Sequence, residues 1–230
     1  MAKIFITLTG TKHYFGNDFL KKGMKIRLEK EPDNEYDMDD DIYRCCVSGS
    51  HAKENPFQHY LDFLYELGEL SENEQELYAG IGREFIQTIE TTEMQKVYKM
   101  PILYSFYNHG NIRLAVTDEE VVESWKEFFD TGTNWKDFPN VNTYEDYKKV
   151  TDKQHLSKAK RMPIRFLKAS GKGFFVEKDG YALALRDEIG DVVGNMAFGE
   201  QMGDVLGYRS LEYYRRRYEK SRITNVKIIC

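Results

Sequence analysis

Cysteine is scarce in this chain of 230 residues: three in all, an odd number, two of them adjacent at Cys45 and Cys46. That spacing lays out neither a disulfide framework nor a zinc site, so buried apolar thiols and a reducing cytoplasm are the expectation. Long apolar runs are missing too, which excludes a membrane-spanning segment and a membrane partner. Met1-Ala2-Lys3 leads straight into the alternating Ile4, Ile6 and Leu8, a strand pattern and not a signal peptide. The five histidines (His13, His51, His59, His109, His155) are scattered, with no helical pair to hold a metal. No phosphate-binding glycine-lysine loop or acidic helicase box occurs, and Ser170-Gly171-Lys172-Gly173 is too short for the former. Glu177-Lys178-Asp179 and Glu93 with Lys96 are the nearest approach to a nuclease metal site, and neither has the alternating acid-spacer-lysine form. No cofactor, metal or catalytic set is therefore expected.

What remains is a globular composition, 41% hydrophobic and 31% charged, with 16 Tyr and 14 Phe to fill a core. The net charge of -5 conceals an asymmetry. Residues 1–142 carry 15 Lys and Arg against 26 Asp and Glu, whereas residues 143–230 carry 18 against 12. An acidic front can imitate a nucleic-acid backbone, and a basic back can follow one by releasing counterions.

Near the N-terminus, Met24, Ile26 and Leu28 alternate with Lys25, Arg27 and Glu29, the period-two pattern of a strand with one buried face. Pro32 stops it, and the following turn gathers an amide, a phenol and a carboxylate in Asn34, Tyr36 and Asp37, groups able to stack on a base and bond its edge. The four aspartates among residues 37–41 lack the glycine and terminal glutamate of a calcium loop and suit a solvated turn. Residues 8–37, with Leu8-Thr9-Gly10-Thr11-Lys12-His13-Tyr14-Phe15-Gly16 ahead of Glu31, Pro32, Asn34, Tyr36 and Asp37, resemble the start of a HIRAN domain. That resemblance implies a small β-barrel module that binds DNA at a single-stranded end, with Lys12, His13, Tyr14, Asn34, Tyr36 and Asp37 as its contact surface.

Ile42 to Val47 suits a third strand, and from Pro56 the period changes to three and four through Phe57, Tyr60, Leu61, Leu64 and Leu67. Leu77, Ile81, Phe85 and Ile89 continue the helical pattern, with Gly80 and Gly82 allowing either a bend or close packing. Thr117 with Glu120 forms a capping box ahead of Val121, Trp125 and Phe129. Residues 130–142 read as a loop and the preferred internal boundary. Beyond it lies a basic series from Lys148 to Lys172 broken by Pro163, then a strand pair, Gly173 to Glu177 and Tyr181 to Leu185, turned by Asp179-Gly180. A last helix, Arg209 to Arg222, is expected to bury Leu211, Tyr214 and Tyr218 and to present Arg209, Arg215, Arg216, Arg217, Lys220 and Arg222 as a phosphate-binding face, before a closing strand at Ile223 to Ile229. The fold class that follows is α+β: a β-rich, partly barrel-like segment over residues 1–50, an acidic helical region over 51–142, and a basic α/β region over 143–230 that is free to merge with it.

A second resemblance spans residues 96–222. Pro101-Ile102-Leu103-Tyr104-Ser105-Phe106-Tyr107-Asn108-His109-Gly110-Asn111-Ile112, Met162-Pro163-Ile164-Arg165-Phe166-Leu167, Gly173-Phe174-Phe175-Val176-Glu177-Lys178 and Tyr213-Tyr214-Arg215-Arg216-Arg217-Tyr218 are similar to the accessory C-terminal region of bacterial DEAD-box-type helicases. It implies a helper module separated from its motor. The expected function is thus a non-catalytic nucleic-acid-binding accessory protein of a bacterial or phage DNA transaction such as defence or repair, with a helicase or nuclease as possible partner protein. Two alternatives stand beside it: a protein-binding inhibitor or adaptor that mimics nucleic acid through its acidic face, and a metal-dependent nuclease.

Overall fold

Alternating apolar residues become three antiparallel strands, β1 (Ile4–Leu8), β2 (Met24–Lys30) and β3 (Tyr43–Val47), in the order β1-β2-β3. The register sets Ile6 opposite Leu28 and Leu8 opposite Ile26, and on the other side Ile26 opposite Cys45 and Met24 opposite Val47. This pairing keeps the alternating positions read from the sequence in register across all three strands. In the computed structural model, residues 4–8, 24–30, 43–47 and 56–225 are described. Met1–Glu72 together with Leu211–Cys230 form one compact unit, and Asn73–Ser210 a second.

In the first unit, Pro56 opens a tight turn ahead of α1 (Tyr60–Leu67), whose Leu61 and Leu64 are buried. Gly68 ends that helix in the left-handed conformation (φ 69°), and the N–H groups of Gly68 and Glu69 return to the carbonyls of Tyr65 and Leu64 at 3.0 and 2.9 Å. This closure satisfies two carbonyls that a helix end leaves open.

The second unit is mainly helical. Its elements are α2 (Glu72–Ala79), α3 (Ile81–Thr91), α4 (Lys99–Tyr107), β4 (Ala115–Val116), α5 (Asp118–Asp130), α6 (Tyr144–Lys148), α7 (Asp152–Ala159), α8 (Arg165–Ser170), β5 (Phe175–Val176), β6 (Leu183–Leu185) and the first half of α9 (Met196–Asn225). Both expectations for the paired glycines hold: Gly80 is the extended residue that separates α2 from α3, and Gly82 packs against the buried Leu77. The strand pair expected around Asp179-Gly180 forms with Phe175 opposite Leu185, and β4 adds to its far side, giving the antiparallel order β4-β6-β5.

Two aromatic clusters make the core. Phe85 touches Phe174, Phe175 and Phe198, with ring centres 5.4 to 6.1 Å apart. Tyr98, Trp125, Phe129, Phe138, Tyr147 and His155 form the other, closed by the Tyr98 hydroxyl donating to the Asp137 carbonyl at 2.7 Å. Each ring removed from water contributes roughly 1.5–3 kcal/mol. These clusters draw on residues from both sides of position 142, so the loop preferred as a boundary lies inside one unit. The same is seen at the surface, where Lys160 reaches Asp118 at 2.6 Å and Lys126 reaches Asp152 at 2.9 Å, aligning α5 antiparallel to α7.

The last helix differs from expectation. It begins at Met196, thirteen residues before Arg209, and runs through Asn225, so Ile223 to Asn225 are helical where a closing strand was anticipated; the rest of that strand lies outside the described residues. Leu211 is 49% exposed instead of buried, while Tyr213 is buried.

Candidate nucleic-acid interface

Residues 151–170 form a helical run whose start is fixed locally. Thr151 accepts from the Gln154 N–H at 3.4 Å, and Gln154 accepts from the Thr151 N–H at 2.8 Å, a reciprocal cap. His155, Ala159, Ile164 and Leu167 are buried, which leaves the lysines and arginines between them to the other side. Pro163 has no N–H to donate, and around it the helix widens into a π turn over Lys160–Ile164 before α8 resumes. The run therefore continues past a residue that ordinarily ends a helix.

Most lysines of the basic series are already matched by carboxylates: Lys148 with Glu145 at 2.7 Å, Lys149 with Asp146 at 3.3 Å, Lys160 with Asp118, and Lys168 with Glu177. Lys153, Arg161 and Arg165 are exposed and have no carboxylate partner among the described residues. The Arg165 guanidinium lies 5.2 Å from the ring centre of Phe166, which is itself 42% exposed. Lys158 is half-buried, with its Nζ 5.0 Å from the centre of the Tyr98 ring. Burial pushes its pKa down, and the positive charges of Arg161 and Lys96 push it further in the same direction. Lys158 therefore has no carboxylate partner among the described residues, and the exposed Arg161 and the Arg165–Phe166 pair follow it on the same helical run. Such a surface can hold phosphates by charge and a base by stacking.

The residues singled out from sequence fare differently. Lys12, His13, Tyr14, Asn34, Tyr36 and Asp37 lie outside the described residues. Arg215, Arg216, Lys220 and Arg222 are on α9, and their side chains likewise lie outside the described residues; Arg217, on the same helix, is exposed. Arg209 is a correction. It is 2% exposed and donates to the Thr92 carbonyl, so it belongs to the interior of the second unit and cannot lie on a phosphate-binding face. Lys158, Arg161 and Arg165 follow one another along the run at spacings of three and four. That spacing was the signal in the sequence, masked by Pro163, which suggested a break where the helix only widens.

Among the described residues no three His, Cys, Asp or Glu side chains converge to hold a metal ion, and no helix is long and apolar enough to cross a membrane. Comparison of the chain with protein-family models, curated proteins and solved structures gives no match.

Proposed function

We propose that this chain is a non-catalytic nucleic-acid-binding accessory protein, acting through the cation-rich side of the 151–170 helical run. The observation that carries the proposal is selective neutralisation. Lysines such as Lys160 and Lys168 are ion-paired with acidic neighbours, whereas Lys158 and the two cations that bear on its charge, Lys96 and Arg161, have no carboxylate partner among the described residues, and the exposed Arg165 and Phe166 follow on the same helical run. The end preference that the HIRAN-like segment implies, through Tyr36 and its neighbours, is part of the same proposal.

The test is fluorescence anisotropy of a labelled single strand titrated with the full chain at several salt concentrations. Wild type should bind with an affinity that falls steeply with salt. Arg161→Glu with Arg165→Glu should weaken binding by about tenfold or more and flatten the salt dependence by about two phosphate contacts. Lys148→Glu with Lys149→Glu, at lysines already paired, should change little. Tyr36→Ala should lose discrimination between tailed and blunt ends. Equal binding by the Arg161/Arg165 variant and wild type would refute the surface.

A second function is favoured by one feature of α5. Glu119, Glu123 and Glu127 are exposed at intervals of four, followed by exposed Asp130, so a row of carboxylates runs along the helix. An inhibitor that imitates a phosphate backbone would use that row, and its partner would be a protein with a basic cleft. Retention of that partner after nuclease treatment, abolished by Glu119→Lys with Glu123→Lys, distinguishes it from the first.

A further inference from the structure

Tyr181 is 44% exposed, a ring open to solvent as that of Phe166 is. It closes the turn between β5 and β6: its N–H donates to the Lys178 carbonyl at 3.1 Å, and Gly180 supplies a positive φ of 81° between them. The turn is anchored to a buried sheet. Ala182 donates to the Val116 carbonyl at 2.8 Å, tying the start of β6 to β4, and Leu183, Ala184 and Leu185 that follow are buried. The first and last residues of a four-residue turn lie close together. Here the Lys178 Nζ stands 5.7 Å from the centre of the Tyr181 ring.

Both side chains are exposed, and beyond this contact neither is engaged among the described residues. No second ring touches Tyr181, its hydroxyl has no hydrogen-bond partner, and no carboxylate pairs with Lys178. Of the acidic residues on either side, Glu177 is taken up by Lys168, and Asp179 forms no ion pair. A single exposed tyrosine is ordinary on a protein surface. This one is set apart by its connection to the cation-rich side of the 151–170 run. Lys168 lies one helical turn beyond Arg165 on α8, on the same flank. Its ion pair with Glu177 fastens that flank to the end of β5, next to Lys178. The two pairs of ring and cation, Arg165 with Phe166 and Lys178 with Tyr181, are thus joined through Lys168 and Glu177. Lys172, exposed in the connection from α8 to β5, adds a cation without a carboxylate partner among the described residues.

We propose that Tyr181 and Lys178 form a second base-stacking station, which with Arg165 and Phe166 makes the chain selective for single-stranded over double-stranded nucleic acid. A ring stacks only on a base whose face is free; an unpaired strand offers such faces along its length, a duplex only at its ends. The adjoining ammonium suits the phosphate that links one base to the next. The station presupposes the nucleic-acid function proposed above and names the form of nucleic acid that it takes.

The test is fluorescence anisotropy of the full chain with a labelled single strand and with a blunt duplex of the same sequence. Wild type should bind the single strand more tightly. Tyr181→Ala should weaken single-strand binding about fivefold or more, the loss of one stacked base, and leave the salt dependence unchanged. Tyr181→Phe keeps the ring and should bind like wild type, while Lys178→Gln should flatten the salt dependence by about one phosphate contact. Duplex binding should be indifferent to Tyr181→Ala. Single-strand binding by Tyr181→Ala equal to that of wild type, or an equal loss on the duplex, overturns the station. In either event, binding lost on reversing Arg161 and Arg165 leaves the function proposed above standing, whereas absence of binding by wild type removes both.

Discussion

His155 is held in the second aromatic cluster, 2% exposed, with the Phe138 and Tyr147 rings edge-on at 5.0 and 5.7 Å and no hydrogen-bond partner for Nδ1 among the described residues. Burial lowers its pKa below the usual 6.5, the charge of Lys126 adds to this, and Asp152 and Asp130 oppose it. The unfolded chain therefore takes up a proton more readily than the folded one. The resulting stabilisation is full above pH 6.5 and is lost as pH falls through that value toward the lowered one of the folded state. We expect the melting temperature to drop between pH 7.5 and 5.5, and to drop less in His155→Phe, which keeps an aromatic ring between Phe138 and Tyr147; parallel pH profiles in scanning fluorimetry would contradict this. Arg209 is the other interior residue with a measurable consequence. Arg209→Met removes the donor to the Thr92 carbonyl and should cost about 1–3 kcal/mol in urea unfolding, the usual result of leaving a buried acceptor without its partner.

Single elements divide by how local their causes are. The α5 cap was legible because all its parts lie within four residues: Thr117 accepts from the Glu120 N–H at 3.3 Å, and Glu120 accepts from the Thr117 N–H at 2.8 Å. Thr117→Ala should cost about 1 kcal/mol in urea unfolding, and an unchanged midpoint would show that the cap is idle. The strand pair at 175–185 was legible for the same reason, since Gly180 supplies the positive φ its turn requires. The pairing of β4 with β6 was not, because Val116 and Leu183 meet only after the intervening helices have folded. The beginning of α9 was hidden by glycines, which disfavour helix. One of them, Gly203, is there for packing: a Cβ would stand 2.6 Å from the Tyr107 hydroxyl oxygen. As for the candidate interface, each of its lysines and arginines was visible in the sequence, but which ones acidic neighbours had neutralised depended on contacts such as Lys160 with Asp118, 42 residues apart.

At the scale of the whole molecule, the charge asymmetry that suggested separate acidic and basic regions has a different explanation within the second unit. Asp118 with Lys160 and Asp152 with Lys126 bring the two regions together, so part of the contrast is internal complementarity. Each exposed pair is worth little by itself, about 0–1 kcal/mol, and their role is alignment more than stability. Because residues 73–210 contain both aromatic clusters and the β4-β6-β5 sheet, we expect a fragment of that span to fold alone and melt in one cooperative transition. A fragment without near-ultraviolet circular dichroism would show that it does not.

The first unit is assembled from the two extremes of the chain, Met1–Glu72 and Leu211–Cys230, and this fixes an order of events during translation. The amino-terminal portion leaves the ribosome early, then waits while the whole intervening span is synthesised, on the order of ten seconds at typical elongation rates. The helical unit is complete by then. The first unit is thus the last to mature, and β1, β2 and β3 stay within reach of chaperones that shield nascent polypeptides until the end of α9 has been made.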